Sequence, residues 1–288
     1  MNGIIVINKD KNYTSRDVVN IVSKKLKTKK VGHTGTLDPM ATGVLVVCVN
    51  EGTKLVDLLS AHTKEYIAEV TLGISTDTLD ITGDILKEED VIIDEHVIID
   101  ALNNFPKKYM QEVPIYSAVK VNGKKLYEYA REGNSVVLPK KEVSIYNLEL
   151  VNNIKYKNNK TIFKIKCLVS KGTYIRSLIK DISTSLNTIG TMSDLVRIKN
   201  GTFDIKDSVT IQEFENGNYN FISLEEAIKN IQKKEVDDIL LKKISNGCKI
   251  NNIYDTNLLA FTKNNKVIAI YESDGNYLKP YKMFLKNI

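Results

Sequence analysis

The chain has 288 residues, 42% of them hydrophobic, which is enough for a core of domain size and excludes global disorder. A net charge of +6 is a mild bias toward polyanions, not proof of one. Three widely spaced cysteines without a C-x-x-C or H-E-x-x-H pattern exclude a disulfide framework and a zinc site, so no metal is expected, and the longest apolar run, Val44 to Val49, is far too short to span a bilayer.

Gly3 to Asn8 reads as a strand. Met1 to Asp10 lacks the charged start and long apolar run of a secretory signal, so a reducing, cytoplasmic setting is expected. Thr14 or Ser15 caps a helix with apolar positions Val18, Val19, Ile21, Val22 and Leu26. Lys9, Lys24, Lys25, Lys29 and Lys30 are candidate phosphate contacts, with a solvated helix face as the alternative for the run at 24–30. A glycine-dense loop follows. It carries a single carboxylate, Asp38, and leads into the buried strand Val44–Val49. Gly32, Gly35 and Gly43 let it turn sharply and approach a ligand, and Pro39 holds Asp38 away from helical dihedrals. Such a loop is a catalytic layout, and a tight turn with Asp38 as a turn residue is the plain alternative.

Glu65 to Ile74 alternates as a strand, and Asp94 to Phe105 has helical spacing. Val143 to Tyr156 and Thr161 to Val169 read as a hairpin across Lys157-Asn158-Asn159-Lys160. Gly172-Thr173 opens a helix with Ile175, Leu178, Ile179, Ile182 and Leu186 on one side. The pattern weakens from Asp204 to Ile231. Val236 to Ile288 then shows short apolar runs broken by Asn and Gly turns, as in a small β-barrel. The whole reads as mixed α/β with long, largely antiparallel strands.

The segment from Gly32 to Leu45, GHTGTLDPMATGVL, resembles the catalytic loop of the TruB family of tRNA pseudouridine-55 synthases at every fixed position of G-H-T-G-x-L-D-P-x-A-T-G-x-L. Further motifs follow in the family's order. They are Lys64-Glu65-Tyr66, Thr76-Asp77-Thr78-Leu79-Asp80 with Gly83, Pro114-Ile115-Tyr116-Ser117-Ala118-Val119-Lys120, the run Gly123 to Arg131, and Ser170-Lys171-Gly172-Thr173-Tyr174-Ile175-Arg176. The resemblance implies a pseudouridine synthase fold (α+β, with a central, largely antiparallel sheet) over 1–231. A PUA-like RNA-binding β-barrel follows at 232–288, on a looser likeness, with a structural β extension that makes no RNA contact as the alternative.

The resemblance also implies isomerisation of the uridine at position 55 in the T-arm of tRNA. No cofactor and no protein partner are expected, and the protein is expected to be a monomer. Asp38 matches the catalytic aspartate and Arg176 the arginine that pairs with it. An arginine at a helix start is mildly unfavourable, which itself argues for an acidic partner. Tyr66 matches the tyrosine against the target base, where the residue alone would read as a core strand position. His33 matches the histidine that holds the flipped-out RNA, with Gly35 and Thr36 in the same substrate-binding loop. Asp80 matches an aspartate near the site, placed to orient Arg176 or Tyr66, with a capping role as the plain alternative. Ile198 matches an apolar residue beside the base, although Leu195-Val196-Arg197-Ile198 departs from the more usual L-R-R run. The rivals are a synthase of the same family acting on another RNA, a non-catalytic RNA-binding module and an aspartate-using hydrolase. The hydrolase would need a second placed carboxylate.

Overall fold

The computed structural model describes residues 2–151 and 153–285. The first half contains β1 (Gly3–Lys9), α1 (Ser15–Lys25), β2 (Val31–His33), β3 (Thr42–Val49), α2 (Val56–Ser60), β4 (Lys64–Leu72), β5 (Ile74–Thr76), β6 (Ile85–Glu88), α3 (Glu95–Asn103) and β7 (Lys108–Glu112). The middle contains β8 (Lys120–Val121), β9 (Lys124–Lys125), α4 (Leu126–Arg131), β10 (Lys140–Leu150), β11 (Lys155–Lys157), β12 (Lys160–Val169), α5 (Ile175–Ser185) and β13 (Gly190–Asn200). The remainder is β14 (Phe203–Asp204), β15 (Val209–Thr210), α6 (Ile211–Glu215), α7 (Leu224–Ala227), β16 (Gln232–Glu235), α8 (Asp238–Ser245), β17 (Ile250–Asn251), β18 (Leu258–Lys263), β19 (Lys266–Asp274) and β20 (Tyr277–Met283).

The long strands build one large sheet in the order β15-β1-β3-β13-β4-β12-β10-β7. Most of its pairings are antiparallel, including β1 with β3 and β12 with β4. At its centre β3 and β13 run parallel, pairing Val196 with Thr42 and Arg197 with Gly43. That junction brings the start of β3, and so the glycine loop before it, against Arg197.

Local sequence accounts for most boundaries. Thr14 caps α1 in a capping box with Asp17. Asn158 and Asn159 sit at φ 50° and 56° and close the β11–β12 hairpin, a conformation asparagine tolerates. Two expectations are corrected. The strand expected over 65–74 ends at Leu72, because Gly73 takes φ 87° and turns the chain into β5. The long strand expected over 143–156 is two strands, β10 ending at Leu150 and β11 starting at Lys155, and its Asn152 lies outside the described residues.

Alternation along β1 and β3 gives the sheet two apolar faces. Ile5, Ile7, Leu45 and Val47 pack with Val18 and Val22 of α1 and with Ile211 and Phe214. Ile4, Val6, Val44 and Val46 pack with Ala260, Val267, Ile270 and Phe284. Farther along the sheet, Ala68, Val70, Phe163 and Ile165 are covered by α3 and α5. The C-terminal residues form a five-stranded sheet, β16-β18-β19-β20-β17. It also carries one helix. Asp237 caps α8, whose Leu240, Leu241 and Ile244 pack into that sheet's own core. The overall architecture is one large, mostly antiparallel sheet with helices on its faces, followed by a five-stranded β-sheet with its own helix.

Candidate active site

The loop between β2 and β3 is tied down residue by residue from below. Asn200 Nδ2 donates to Thr34 Oγ1 at 2.9 Å. The Arg197 guanidinium donates to Gly35 O at 3.0 Å, to Thr36 O at 3.3 Å and to Val44 O at 2.7 Å. Ser15 Oγ accepts from Leu37 N at 2.9 Å and donates to Leu37 O at 3.3 Å. Lys9 Nζ donates to the carbonyls of Asp10, Tyr13 and Pro39 at 2.9, 2.7 and 3.3 Å. Much of the loop backbone is thus satisfied by side chains of β1, α1 and β13, beside main-chain bonds such as Thr34 N to Val46 O at 3.1 Å.

On this support Asp38 projects into a cavity of about 420 Å³. Arg176, at the start of α5, grips it twice, with Nε 3.0 Å from Oδ2 and NH2 3.4 Å from Oδ1. The same guanidinium donates to Thr78 O at 2.9 Å and Tyr116 O at 3.0 Å, so four acceptor atoms hold it in one plane. Arg176 is nearly buried, its side chain 8% exposed, whereas that of Asp38 is 35% exposed. The carboxylate is anchored at its back and open at its front.

Asp80 stands behind the pair. It is buried, with Oδ2 3.7 Å from Arg176 NH1. Its Oδ1 accepts from Thr78 Oγ1, Thr82 N and Thr82 Oγ1. It lies against Arg176 and does not line the cavity.

Tyr66 lines the cavity from β4, in register with Arg197 on β13. Burial pushes its hydroxyl pKa up, against the opposing pull of the Arg197 guanidinium. Lys64, two residues earlier on the same face, is also buried and lines the cavity. Its Nζ donates to Ser60 O at 2.7 Å and His62 O at 2.6 Å. Burial first, then the charges of Arg197 and Lys171, lower its pKa to about 8.

The expected site residues therefore separate. Asp38, Tyr66, Arg176, Gly35 and Thr36 share the cavity. His33 lies one step back on β2, where its Nδ1 accepts from Gly35 N at 3.3 Å and burial lowers its pKa. Lys9, expected as a phosphate contact, is fully buried and its ammonium is committed to backbone carbonyls, so it holds the loop from inside. Ile198, expected beside the base, does not line the cavity, and Leu195 does. Strand alternation puts Leu195 and Arg197 on the cavity side, and the pairing shifts between Arg197 and Lys199. Arg197 and Lys64 also line the cavity, although neither is among the expected site residues. Their signal was present in the alternation with Leu195 and Tyr66.

Among the described residues, no group of three or more His, Cys, Asp or Glu is placed to hold a metal ion, and no helix is long and apolar enough to cross a membrane.

Residues 23–175 match the TruB family pseudouridylate synthase (N terminal domain) model. The tRNA pseudouridine synthase B of Clostridium tetani is 41% identical, over 95% of this chain and 93% of that protein. The enzyme of the same name from Bacillus cytotoxicus is 39% identical over 100% of this chain and 98% of that protein. Two solved structures share the fold. One, an H/ACA RNP bound to a substrate RNA containing 2'-deoxyuridine, matches with TM-score 0.69 at 22% identity, over 98% of this chain and 84% of that one. The other, a Cbf5-Nop10-Gar1 complex, matches with TM-score 0.69 at 23% identity, over 99% and 86%. By the family match and by full-length likeness to its bacterial relatives, the chain belongs to the TruB family of pseudouridylate synthases.

Proposed function

We propose that this enzyme converts a uridine of tRNA to pseudouridine at position 55 in the T-arm, with Asp38 as the reacting carboxylate on a flipped-out nucleotide. One observation carries the reading: Asp38 is gripped at two points by Arg176 and left open to a cavity that Tyr66 also lines. The names of the full-length relatives support tRNA as the substrate.

The reaction breaks the C1'–N1 bond, turns the uracil and rejoins it through C5. N1 gains a proton and C5 loses one, so atoms and charge balance without a cofactor. A carboxylate serves either as nucleophile at the sugar or as base at C2'. In both routes Arg176 neutralises its charge and fixes both oxygens. Tyr66 supplies an aromatic face for the unstacked base, and the target must leave its loop to reach the cavity. Residues 1–231 form the catalytic unit in this reading. Residues 232–288 form an RNA-binding unit whose lysines meet phosphate.

The test is tritium release from tRNA transcript labelled at uracil C5, with purified protein. Release is expected from the wild type, and none from Asp38→Asn or from a transcript with cytidine at position 55. Release by Asp38→Asn at the wild-type rate, or undiminished release from the position-55 variant, would overturn the proposal.

A further inference from the structure

Most polar side chains of the cavity have their partners within the protein. Asp38 and Arg176 hold each other, Tyr66 lies against Arg197, and Lys64 donates to two carbonyls. Ser117 is different. It lines the same cavity, it is 8% exposed, and its Oγ is buried without a hydrogen-bond partner among the described residues. Its backbone, by contrast, is fully engaged. Ser117 N donates to Ile115 O at 2.9 Å, and Tyr127 N donates to Ser117 O at 3.1 Å. The main chain is held while the hydroxyl is left over.

A buried hydroxyl without a partner has given up its water and gained nothing in return, so it destabilises the fold. Folds keep such a group where something else completes the bond. The surroundings say what that is. Tyr116, the preceding residue, accepts from the same Arg176 nitrogen that donates to Asp38 Oδ1. Ser117 therefore follows directly on a residue that shares Arg176 with the reacting carboxylate, and lines the same cavity. The Tyr174 hydroxyl stands beside it, near enough for Ser117 to temper the upward shift that burial gives the phenol, but the two are not joined in a formed bond.

We infer that Ser117 Oγ is a substrate-contacting residue that donates a hydrogen bond to an exocyclic oxygen of the flipped uracil. This deepens the proposed function and rests on it. When the C1'–N1 bond breaks, its electron pair leaves with the base and spreads over the imide onto the two exocyclic oxygens. A fixed donor in a water-poor corner interacts more strongly with that charge than with the neutral carbonyl of the bound nucleotide. Ser117 thus acts in the interval between the two bonding events, when the base is detached. Rejoining through C5 and loss of the C5 proton remove the charge.

The test compares wild type, Ser117→Ala and Ser117→Thr on three tRNAs assembled from synthetic fragments, with uridine, 2-thiouridine or 4-thiouridine at the target. On the uridine tRNA, Ser117→Ala is expected to lower the single-turnover rate roughly 10²- to 10³-fold, by analogy with removal of one oxyanion donor. Its tRNA affinity should be unchanged, and its melting temperature equal or higher, because an unmatched hydroxyl has been removed. Ser117→Thr keeps the hydroxyl and should recover most of the rate. Sulfur is a poor acceptor, so on one of the two thio tRNAs wild type and Ser117→Ala should react at matching rates. An alanine variant as fast as wild type on uridine overturns the inference. So does one that is slower by the same factor on all three tRNAs, or one whose melting temperature falls along with its rate. A wild type inactive on the uridine tRNA overturns the proposed function first, and the inference with it.

Discussion

At the scale of single residues, the site depends on cations whose partners differ. Arg176 faces two carboxylates, whereas Arg197 and Lys9 donate to backbone carbonyls. A lysine at 176 keeps the charge but loses the planar, two-point grip. Breaking a buried pair costs about 3–5 kcal/mol, and the low end applies because Asp38 keeps part of its exposure. Arg176→Lys is therefore expected to slow the single-turnover rate by roughly 10²-fold, with tRNA affinity unchanged. A variant with the full wild-type rate would show that the grip has no part in the chemistry. Tyr66 is tested by a pair of variants. Tyr66→Leu removes the face beneath the base, worth roughly 1–3 kcal/mol, and Tyr66→Phe keeps it. Rates equally low for both would assign the hydroxyl to the reaction.

Lys9 and Lys64 also set a pH dependence. Burial lowers each to about 8 from an ordinary value of 10.5. Between those values the unfolded chain holds more protons than the folded one, so stability rises with pH. The penalty for burying the two charges is fully present below pH 8 and is relieved as pH climbs toward 10.5. Lys64→Met should flatten that rise in a series of urea unfolding curves. A slope identical to the wild type would mean that Lys64 titrates normally.

At the scale of elements, the loop depends on the parallel junction of β3 and β13. Gly43 sits there at φ 101°, and a Cβ would fall on the carbonyl oxygen of Arg197. Gly43→Ala must both strain the backbone and part the strands. A cost of about 1–3 kcal/mol from the dihedral alone is expected, with a further loss of activity because Arg197 moves away from Gly35 and Thr36. Calorimetry and single-turnover rates read the two effects separately. An alanine variant with wild-type melting temperature would contradict the close approach.

At the scale of the whole molecule, the C-terminal sheet is a continuation of the core. Ala260, Val267, Ile270 and Phe284 close the face of β1 and β3 opposite α1, and Lys54 donates to Met283 O at 2.6 Å. Deleting the chain from Val236 would expose that face, so the RNA-binding role of this part is better tested by point substitution. Lys249, Lys279 and Lys282 are in ion pairs with Asp274, Glu272 and Asp57. Lys242 and Lys243, in the last turn of α8, have no such pairing among the described residues. Lys242→Gln with Lys243→Gln should weaken tRNA affinity and reduce its salt slope by roughly 0.7 for each lost phosphate contact, at unchanged rate under saturating enzyme. An unchanged slope would assign these lysines to solvent.

Much of the molecule was written locally and could be read without the fold. The cap at Thr14, the asparagine turn at 158–159, the apolar alternation of β1 and β3, and the glycine loop around Asp38 are properties of adjacent residues. So is the motif order that places the chain in its family. What tertiary structure decided are the partners of ionic and polar groups. Lys9 read as one more basic residue near the amino end, yet β1 carries it beneath Pro39, where its charge serves the loop. Arg197 was one residue of a degenerate run until pairing with Thr42–Gly43 placed it under the loop. Leu195, and not Ile198, faces the cavity because of strand register, which spacing alone does not set when the pairing shifts. Ser117 lay in plain view within its motif, but whether a hydroxyl is bonded or left over is settled by the atoms around it, which arrive from elsewhere in the chain. A sequence states which groups exist and how neighbours repeat. Burial and the meeting of distant charges are set by the folded sheet, and they decide what each group does.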